Sequence, residues 1–183
     1  MAAYVDGSAW REEFDELFCG LEDNWELIEI DNLPPINEDQ IDGWKCCKRK
    51  GEARFKCRRC HSNWSSLNGV VIFHYRLTSY SNGEVKRQSM RQKCKNCPDG
   101  NFENAEWSRS EISEVLSSLL EKVKEKYYSD DIGISRSSAR NQNWEGRMNG
   151  PHRSDLCEAC QRGICTETRD VNELGSLFDE FRL

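Results

Sequence analysis

Three Cys-x-x-Cys pairs constrain the fold of this chain more than any other feature of its sequence. The pairs are Cys57/Cys60, Cys94/Cys97 and Cys157/Cys160. A Cys-x-x-Cys turn directs two thiolates at one point, and a tetrahedral Zn²⁺ site needs two such turns, or one turn and two other ligands. A single pair is compatible with a redox-active dithiol, but three pairs in one chain favour metal binding. We therefore expect a fold that is organised around zinc.

The N-terminal sequence favours a compartment in which these thiols stay reduced. Residues 1–18 have no basic start and no apolar run, so they do not resemble a signal peptide. The longest apolar run, at 70–73, is far shorter than the roughly 18 residues needed to span a bilayer. We expect a cytoplasmic protein, or one at the cytosolic face of the endoplasmic reticulum or plasma membrane if a C-terminal anchor is missing from this sequence.

Charge is strongly segregated along the chain, although the net charge is only −6. Residues 1–43 carry thirteen acidic side chains and one basic side chain. Residues 44–97 carry fourteen basic and two acidic side chains, and residues 98–183 carry eleven and seventeen. This pattern predicts either a partner for the basic block or docking of the acidic block onto it.

Two amphipathic helices are predicted from apolar periodicity. The first covers residues 9–22, with Ser8 as its N-cap. The second covers residues 109–128, where Ser108 and Glu111 have the spacing of a capping box.

Between the helices the composition indicates a β region. Strand-forming residues lie at 53–56, 70–80 and 84–93, and the turn signal Ser81-Asn82-Gly83 joins the last two as a hairpin. The fold class expected is α+β: a small zinc-stabilised antiparallel sheet with a zinc-ribbon-like hairpin and flanking helices. The expected segments are an acidic helix and connector (1–43), a zinc-binding β core with its helix (44–128), a flexible linker (129–154), a third cysteine cluster that docks on the core (155–166) and an acidic tail (167–183).

Two structural zinc ions are expected from the cysteine spacing. The first would be held by Cys57, Cys60, Cys94 and Cys97, because the hairpin returns the second pair beside the first. The second would be held by Cys157, Cys160 and Cys165, with His152 or its rival His74 as the fourth ligand. Pairing of Cys57/Cys60 with the third cluster instead remains an alternative. The remaining cysteines, Cys19, Cys46 and Cys47, are not expected to be ligands.

No residue pattern indicates catalysis. A closed four-sulfur site leaves no open position for water or substrate. The chain also shows no nucleophile motif and no phosphate-binding loop. We expect a non-enzymatic interaction protein without a small-molecule substrate.

The motifs together resemble a known family. The run Arg54-Phe55-x-Cys57-x-x-Cys60-x3-Trp64-x-Ser66 is similar to a 3CxxC-type zinc finger, and Cys157-Glu158-Ala159-Cys160-x-x-Gly163-Ile164-Cys165 resembles the receptor-transporting proteins. The resemblance covers roughly residues 10–165. It implies a zinc-binding protein that promotes the folding and trafficking of seven-helix receptors, including odorant receptors, to the cell surface. Some members are interferon-induced antiviral proteins, for which zinc-dependent RNA binding is proposed. Most members carry a C-terminal transmembrane helix, whereas this sequence shows none after Cys165.

Single-stranded RNA is the alternative partner, because basic side chains interleave with aromatic ones between residues 44 and 97. The aromatic residues are Trp44, Phe55, Trp64, Phe73 and Tyr75, which could equally fill the core. The candidate RNA-binding residues are Lys48, Arg49, Lys50, Arg54, Arg58, Arg59, Lys86, Arg87 and Arg91.

Overall fold

The computed structural model describes residues 4–5, 7–34, 43–78, 80–128 and 152–165. Their strands are β1 (Tyr4–Val5), β2 (Asn24–Glu29), β3 (Lys45–Lys56), β4 (Asn63–Leu77), β5 (Asn82–Ser89) and β6 (Glu106–Ser108). The helices are α1 (Gly7–Phe18), α2 (Arg109–Tyr127) and α3 (Glu158–Gln161), and a 3₁₀ turn covers Ser154–Leu156. Most of the predicted linker and the whole predicted tail lie outside the described residues.

One curled sheet contains all six strands in the order β1-β6-β3-β4-β5-β2. Every pairing is antiparallel except that of β2 with β5, which is parallel. The α+β class is therefore confirmed, but the sheet is mixed rather than purely antiparallel. The sequence prediction left β2 unassigned, because its partner β5 lies more than fifty residues further along the chain.

Strand β3 is much longer than the predicted segment 53–56. Its first half contains the basic run Lys48-Arg49-Lys50, which hides the strand signal. A register shift between Gly51 and Ala53 bends the strand there. Beyond the bend, β3 pairs with β4 on one side and with β6 on the other.

Helices α1 and α2 pack together over one face of the sheet. Phe14, Phe73, Trp107 and Leu116 are all at most 1% exposed in the core that they enclose. Helix α2 matches its prediction, and the Ser108 side chain accepts a hydrogen bond from the Glu111 N–H at 3.3 Å. The Glu111 carboxylate, however, accepts from the backbone of Glu52 in β3 instead of completing the predicted box.

Helix α1 differs from its prediction at both ends. It begins at Gly7 rather than residue 9 and ends at Phe18 rather than residue 22, so Ser8 lies inside the first turn and is not the N-cap. The apolar period extends beyond the helix because Leu21 still packs against the same core after the chain has turned.

The opposite face of the sheet carries a second, smaller core. Val70, Ile72 and Met90 form its floor, together with Leu33 after β2. The segment 152–165 covers this floor with Ala159 and Ile164. His74 also points to this face, because side chains alternate along β4 and those of Val71, Phe73 and Tyr75 belong to the core under the helices.

Candidate metal centres

The first thiol cluster lies at one end of the β3–β4–β5 portion of the sheet. Cys57 follows the last residue of β3, and the chain returns from β5 to place Cys94 and Cys97 beside the first pair. The sulfur atoms of Cys57, Cys60, Cys94 and Cys97 all lie within 4.8 Å of one another. The third cysteine pair is not part of this group.

The sulfur geometry matches what tetrahedral zinc requires. A Zn–S bond of about 2.3 Å gives a distance of about 3.8 Å between two sulfurs of a tetrahedron. Cys60 Sγ and Cys94 Sγ are 3.7 Å apart. Four thiols within 4.8 Å of one another would supply the closed donor set of a structural zinc site.

Tight backbone turns hold the first pair in place. The His61 N–H donates to the Cys57 carbonyl at 2.9 Å, and the Cys57 N–H donates to the Ser62 carbonyl at 2.9 Å. His61 adopts a left-handed φ of 60°, which lets the chain reverse after Cys60. The Cys60 N–H also points at Cys57 Sγ at 3.5 Å. Backbone N–H groups of this kind stabilise a thiolate.

The second pair is held by a similar turn, since the Cys97 N–H donates to the Cys94 carbonyl at 3.1 Å and Gly100 N–H donates to the Cys97 carbonyl at 2.8 Å.

Ser62 lies against two thiols of the first cluster and lowers the pKa of one of them, Cys60. Its hydroxyl lies 3.0 Å from Cys60 Sγ and 3.2 Å from Cys94 Sγ. Hydrogen bonds from Ser62 lower the pKa of the metal-free Cys60 thiol to about 6. Desolvation and the neighbouring sulfurs raise the pKa of Cys97 to about 12. The lowered pKa of Cys60 favours its thiolate, the form that binds zinc, whereas the raised pKa of Cys97 means that this thiol releases a proton on binding.

Glu103 stabilises the turn between Cys57 and Cys60 through Arg58. This residue was not identified from the sequence. It is 5% exposed and accepts hydrogen bonds from both the backbone N–H and the Nε of Arg58, each at 2.9 Å. Burial by itself raises the pKa of Glu103, but the hydrogen bonds from Arg58 outweigh burial and the pKa is lowered. The Glu103 carboxylate therefore holds the turn between Cys57 and Cys60 in place.

The second cluster forms within the C-terminal described segment. One donor atom each from His152, Cys157 and Cys160 lies within 4.8 Å of the others, and His152 Nε2 is 3.0 Å from Cys160 Sγ. Cys165 Sγ is 3.8 Å from the same nitrogen. Cys165 lies outside the group of donors within 4.8 Å, but with it these residues would supply the three sulfurs and one nitrogen of the predicted Cys₃His set. His74 does not belong to either group of donors among the described residues.

Glu158 anchors this segment to the sheet and was likewise missed by sequence reasoning. Its carboxylate accepts from the Arg91 backbone N–H at 2.8 Å and from the Arg91 guanidinium at 2.8 and 3.0 Å. The Lys93 N–H donates to the Leu156 carbonyl at 2.8 Å, and Lys48 Nζ donates to the Ile164 carbonyl at 2.8 Å. The second cluster is therefore seated on the sheet through both polar and apolar contacts.

The candidate RNA-binding residues are placed in very different surroundings. Arg87 is 3% exposed, pairs with Glu29 and lies 4.2 Å from the Trp10 ring centre. Its selection as a surface contact was wrong, because alternation along β5 turns it under helix α1. Arg49 donates to Ser118 Oγ at 2.7 Å, so it joins β3 to α2.

The other candidates lie nearer the surface. Lys48, Arg58 and Arg91 make the contacts described above, and Lys86 lies 4.2 Å from the Trp44 ring centre. Lys50 is half-buried on β3, whereas Arg54 and Arg59 are exposed. The basic block is thus a mixture of structural contacts and surface charge.

The interleaved aromatic residues mostly serve the core. Phe55, Phe73 and Tyr75 are buried. Trp64 stacks on Phe55 with ring centres 5.4 Å apart. Trp44 is half-buried, with the Arg76 guanidinium 4.4 Å from its ring centre.

The expected docking of the acidic block onto the basic block is limited. Among the described residues, Glu29 pairs with Arg87 of the basic block, and Glu12 pairs with Arg109 in the neighbouring helix α2. The other acidic side chains of α1 and β2 face solvent to different degrees. Cys19, which was not expected to be a ligand, is exposed directly after the end of α1.

The fold and the two donor clusters define a zinc-binding protein, and comparison with known proteins agrees. A family model described as a zinc-binding domain, of the 3CxxC zinc-ribbon type, matches residues 50–163. Receptor-transporting protein 3 of Mus musculus is 32% identical over 93% of this chain and 35% of its own length. Receptor-transporting protein 2 of Mus musculus is 31% identical over 90% of this chain and 73% of its own length.

Receptor-transporting protein 4 of Homo sapiens is 29% identical over 88% of this chain and 65% of its own length. No solved structure gives a significant match. The chain belongs to the receptor-transporting protein family and contains its zinc-binding domain. None of the described helices combines the length and the apolar character that a membrane-spanning helix requires.

Proposed function

We propose that this protein is a zinc-dependent interaction module that assists the transport of seven-helix receptors to the cell surface. The observation that carries the proposal is the alignment of about nine-tenths of the chain with proteins named for receptor transport. The first donor cluster supports a structural role for the metal, because four thiolates would fill the tetrahedral coordination of zinc and leave no position open for water or substrate. The protein would act by binding, without catalysis.

The proposed protein binds two structural zinc ions per chain, one in each donor cluster. The first ion would join the end of β3 to the end of β5. The second would close the segment that covers the Val70 and Ile72 face. Zinc binding of this kind contributes roughly 10 kcal/mol or more of folding free energy per site, which complements the low hydrophobic content of 37%.

A co-expression experiment tests the receptor role. A tagged odorant receptor would be expressed with the protein, and its surface density would be measured by flow cytometry on intact cells. We expect a higher density with the wild-type chain and with Cys19→Ser, whose exposed thiol lies outside both clusters. We expect no increase with Cys60→Ser. Equal density with and without the wild-type protein, at matched expression, would refute the proposal.

Single-stranded RNA remains a second candidate partner, favoured by the cations around the first cluster. Lys56, Arg58 and Arg59 are exposed there, and the Lys93 ammonium lies 5.1 Å from the Phe102 ring centre. Cations beside a half-buried aromatic ring are suited to phosphates and bases.

Filter binding of a 20-nucleotide oligouridine tests the RNA candidate. Affinity should fall as salt rises, and Arg59→Glu should weaken it more than Lys126→Glu on the exposed side of α2. Absence of binding at low salt, or equal effects of the two variants, would remove RNA from consideration.

A further inference from the structure

Strand β2 is an edge of the sheet with an open row of backbone groups. Among the described residues it pairs only with β5. The N–H groups of Asn24 and Ile30 donate to carbonyls of the β5 side at 3.2 and 3.0 Å. Because successive backbone groups point to alternate sides of a strand, those of Trp25, Leu27 and Glu29 point away from β5. These three residues therefore present donors and acceptors in strand geometry.

The charge along this edge is uniformly negative. Residues 20–34 include no lysine or arginine. Glu26 is exposed and stands directly opposite Glu84 in the register of β2 and β5. Glu84 is bound by Arg76 at 2.9 Å, whereas Glu26 makes no ion pair with any described residue. Because Arg76 already compensates Glu84, Glu26 remains the uncompensated carboxylate of this cross-strand pair, and a cation on its free side would pair with it.

The negative charge of the β2 edge limits which polypeptide segments can pair with it. A second copy of β2 would bring Glu26 and its neighbours against identical carboxylates, and charged edges of this kind oppose self-pairing. An acidic segment is disfavoured for the same reason. An extended segment with lysine or arginine at alternate positions gains both the backbone hydrogen bonds and the charge pairing.

We propose that the free edge of β2 binds an extended lysine- or arginine-rich polypeptide segment, which adds to the sheet as a further strand. Backbone hydrogen bonds to Trp25, Leu27 and Glu29 would supply binding, and Glu26 would select cationic side chains on the face that it shares. The proposal does not rest on receptor transport. It is compatible with that role, since cytosolic loops of membrane proteins carry an excess of lysine and arginine.

The test uses the zinc-loaded full chain and a capped ten-residue peptide of alternating lysine and threonine. Binding is followed by NMR amide shifts and by isothermal calorimetry at low salt. We expect shifts centred on the amides of Trp25, Leu27 and Glu29, with slower hydrogen exchange at those amides in the complex. A matched peptide of alternating glutamate and threonine should bind at least tenfold more weakly.

Two controls separate strand addition from simple charge attraction. A lysine-threonine peptide that is N-methylated at alternate residues cannot form the ladder and should bind at least tenfold more weakly. Glu26→Lys should weaken binding at least tenfold, whereas Glu16→Lys on the exposed side of α1, with the same change in net charge, should weaken it less than threefold.

Several results would overturn the proposal. These are no binding, equal binding of the N-methylated peptide, shifts centred away from β2, or equal effects of the two charge reversals. Exchange protection of the three amides in the free protein would show that another part of this chain already pairs with the edge. Protection that rises with protein concentration would show that a second copy does. If the protein does not raise receptor density in the co-expression experiment, the peptide-binding result still stands. The two proposals can therefore fail independently.

Discussion

Replacement of Gly83 by alanine should destabilise the protein through a collision with Trp25. Gly83 stands directly opposite Trp25 in the parallel pairing of β5 with β2. A Cβ at this position would lie 2.0 to 2.3 Å from three ring carbons of Trp25. Real Cβ contacts do not occur at such distances, so the indole must move. The ring is 7% exposed and its Nε1 donates to the Tyr128 hydroxyl at 3.0 Å, which leaves it little free space.

The expected loss of unfolding free energy is about 3 kcal/mol. Forcing an extra group into a packed core costs about 1–3 kcal/mol. Displacing the indole also breaks its hydrogen bond to Tyr128, which contributes about 0.5–1.5 kcal/mol. For a chain of this size the combined effect corresponds to a decrease in melting temperature of about 10 °C.

Urea unfolding of the zinc-saturated protein, followed by tryptophan fluorescence and circular dichroism, measures this loss. Gly20→Ala is the matched control, because nothing lies within 4 Å of a Cβ built there, and it should change stability by about 0.5 kcal/mol or less. In a Trp25→Leu background, Gly83→Ala should cost about 1 kcal/mol or less, since the collision is gone. A cost below about 0.5 kcal/mol in the wild-type background would refute the argument.

Three further predictions concern zinc, a buried cation and a helix cap. Cys97→Ser and Cys160→Ser should each remove one of two bound zinc ions, as measured by elemental analysis of the dialysed protein. Loss of both ions from either variant would contradict two independent sites. Arg87→Ala should lower the free energy of unfolding in urea by about 2 kcal/mol, because it removes a buried side chain that packs on Trp10 while Glu29 stays solvated. A change as small as that of an ordinary surface substitution would show that the buried Arg87 side chain does not stabilise the fold. Ser108→Ala should cost about 1 kcal/mol through loss of the α2 N-cap, and unchanged stability would show that the cap contributes nothing.

Local signals accounted for the features that the sequence predicted well. Helix α2 follows from Ser108 and an apolar repeat of helical period, both of which act within a few residues. The hairpin followed from two strand-forming runs, but its turn was misplaced. Asn82 and Gly83 lie in β5 rather than in the turn, and the left-handed residue is Ser81, with a φ of 56°. A glycine is needed at position 83 because the Trp25 ring of β2 packs directly against its Cα. The two strands lie far apart in the sequence.

Nonlocal packing decided what sequence reasoning could not. Arg87 has the same local appearance as the surface cations around it, and only the position of α1 over β5 buries it. The support of the donor clusters by Glu103 and Glu158 likewise depends on Arg58 and Arg91, which lie at least 45 residues away along the chain. Carboxylates without a motif give no signal in a single sequence.

The sequence by itself determined that this is a small α+β zinc-binding protein, because Cys-x-x-Cys spacing is a local geometric requirement of the metal and the helix signals are local too. The tertiary structure decided which thiols lie together: Cys57 and Cys60 meet Cys94 and Cys97, while Cys157 and Cys160 lie with His152 on the opposite face of the sheet from the helices. It also decided that, among the described strands, β2 lies at the edge of the sheet with an acidic side. Strand order depends on contacts between distant segments, and no local pattern of residues encodes it.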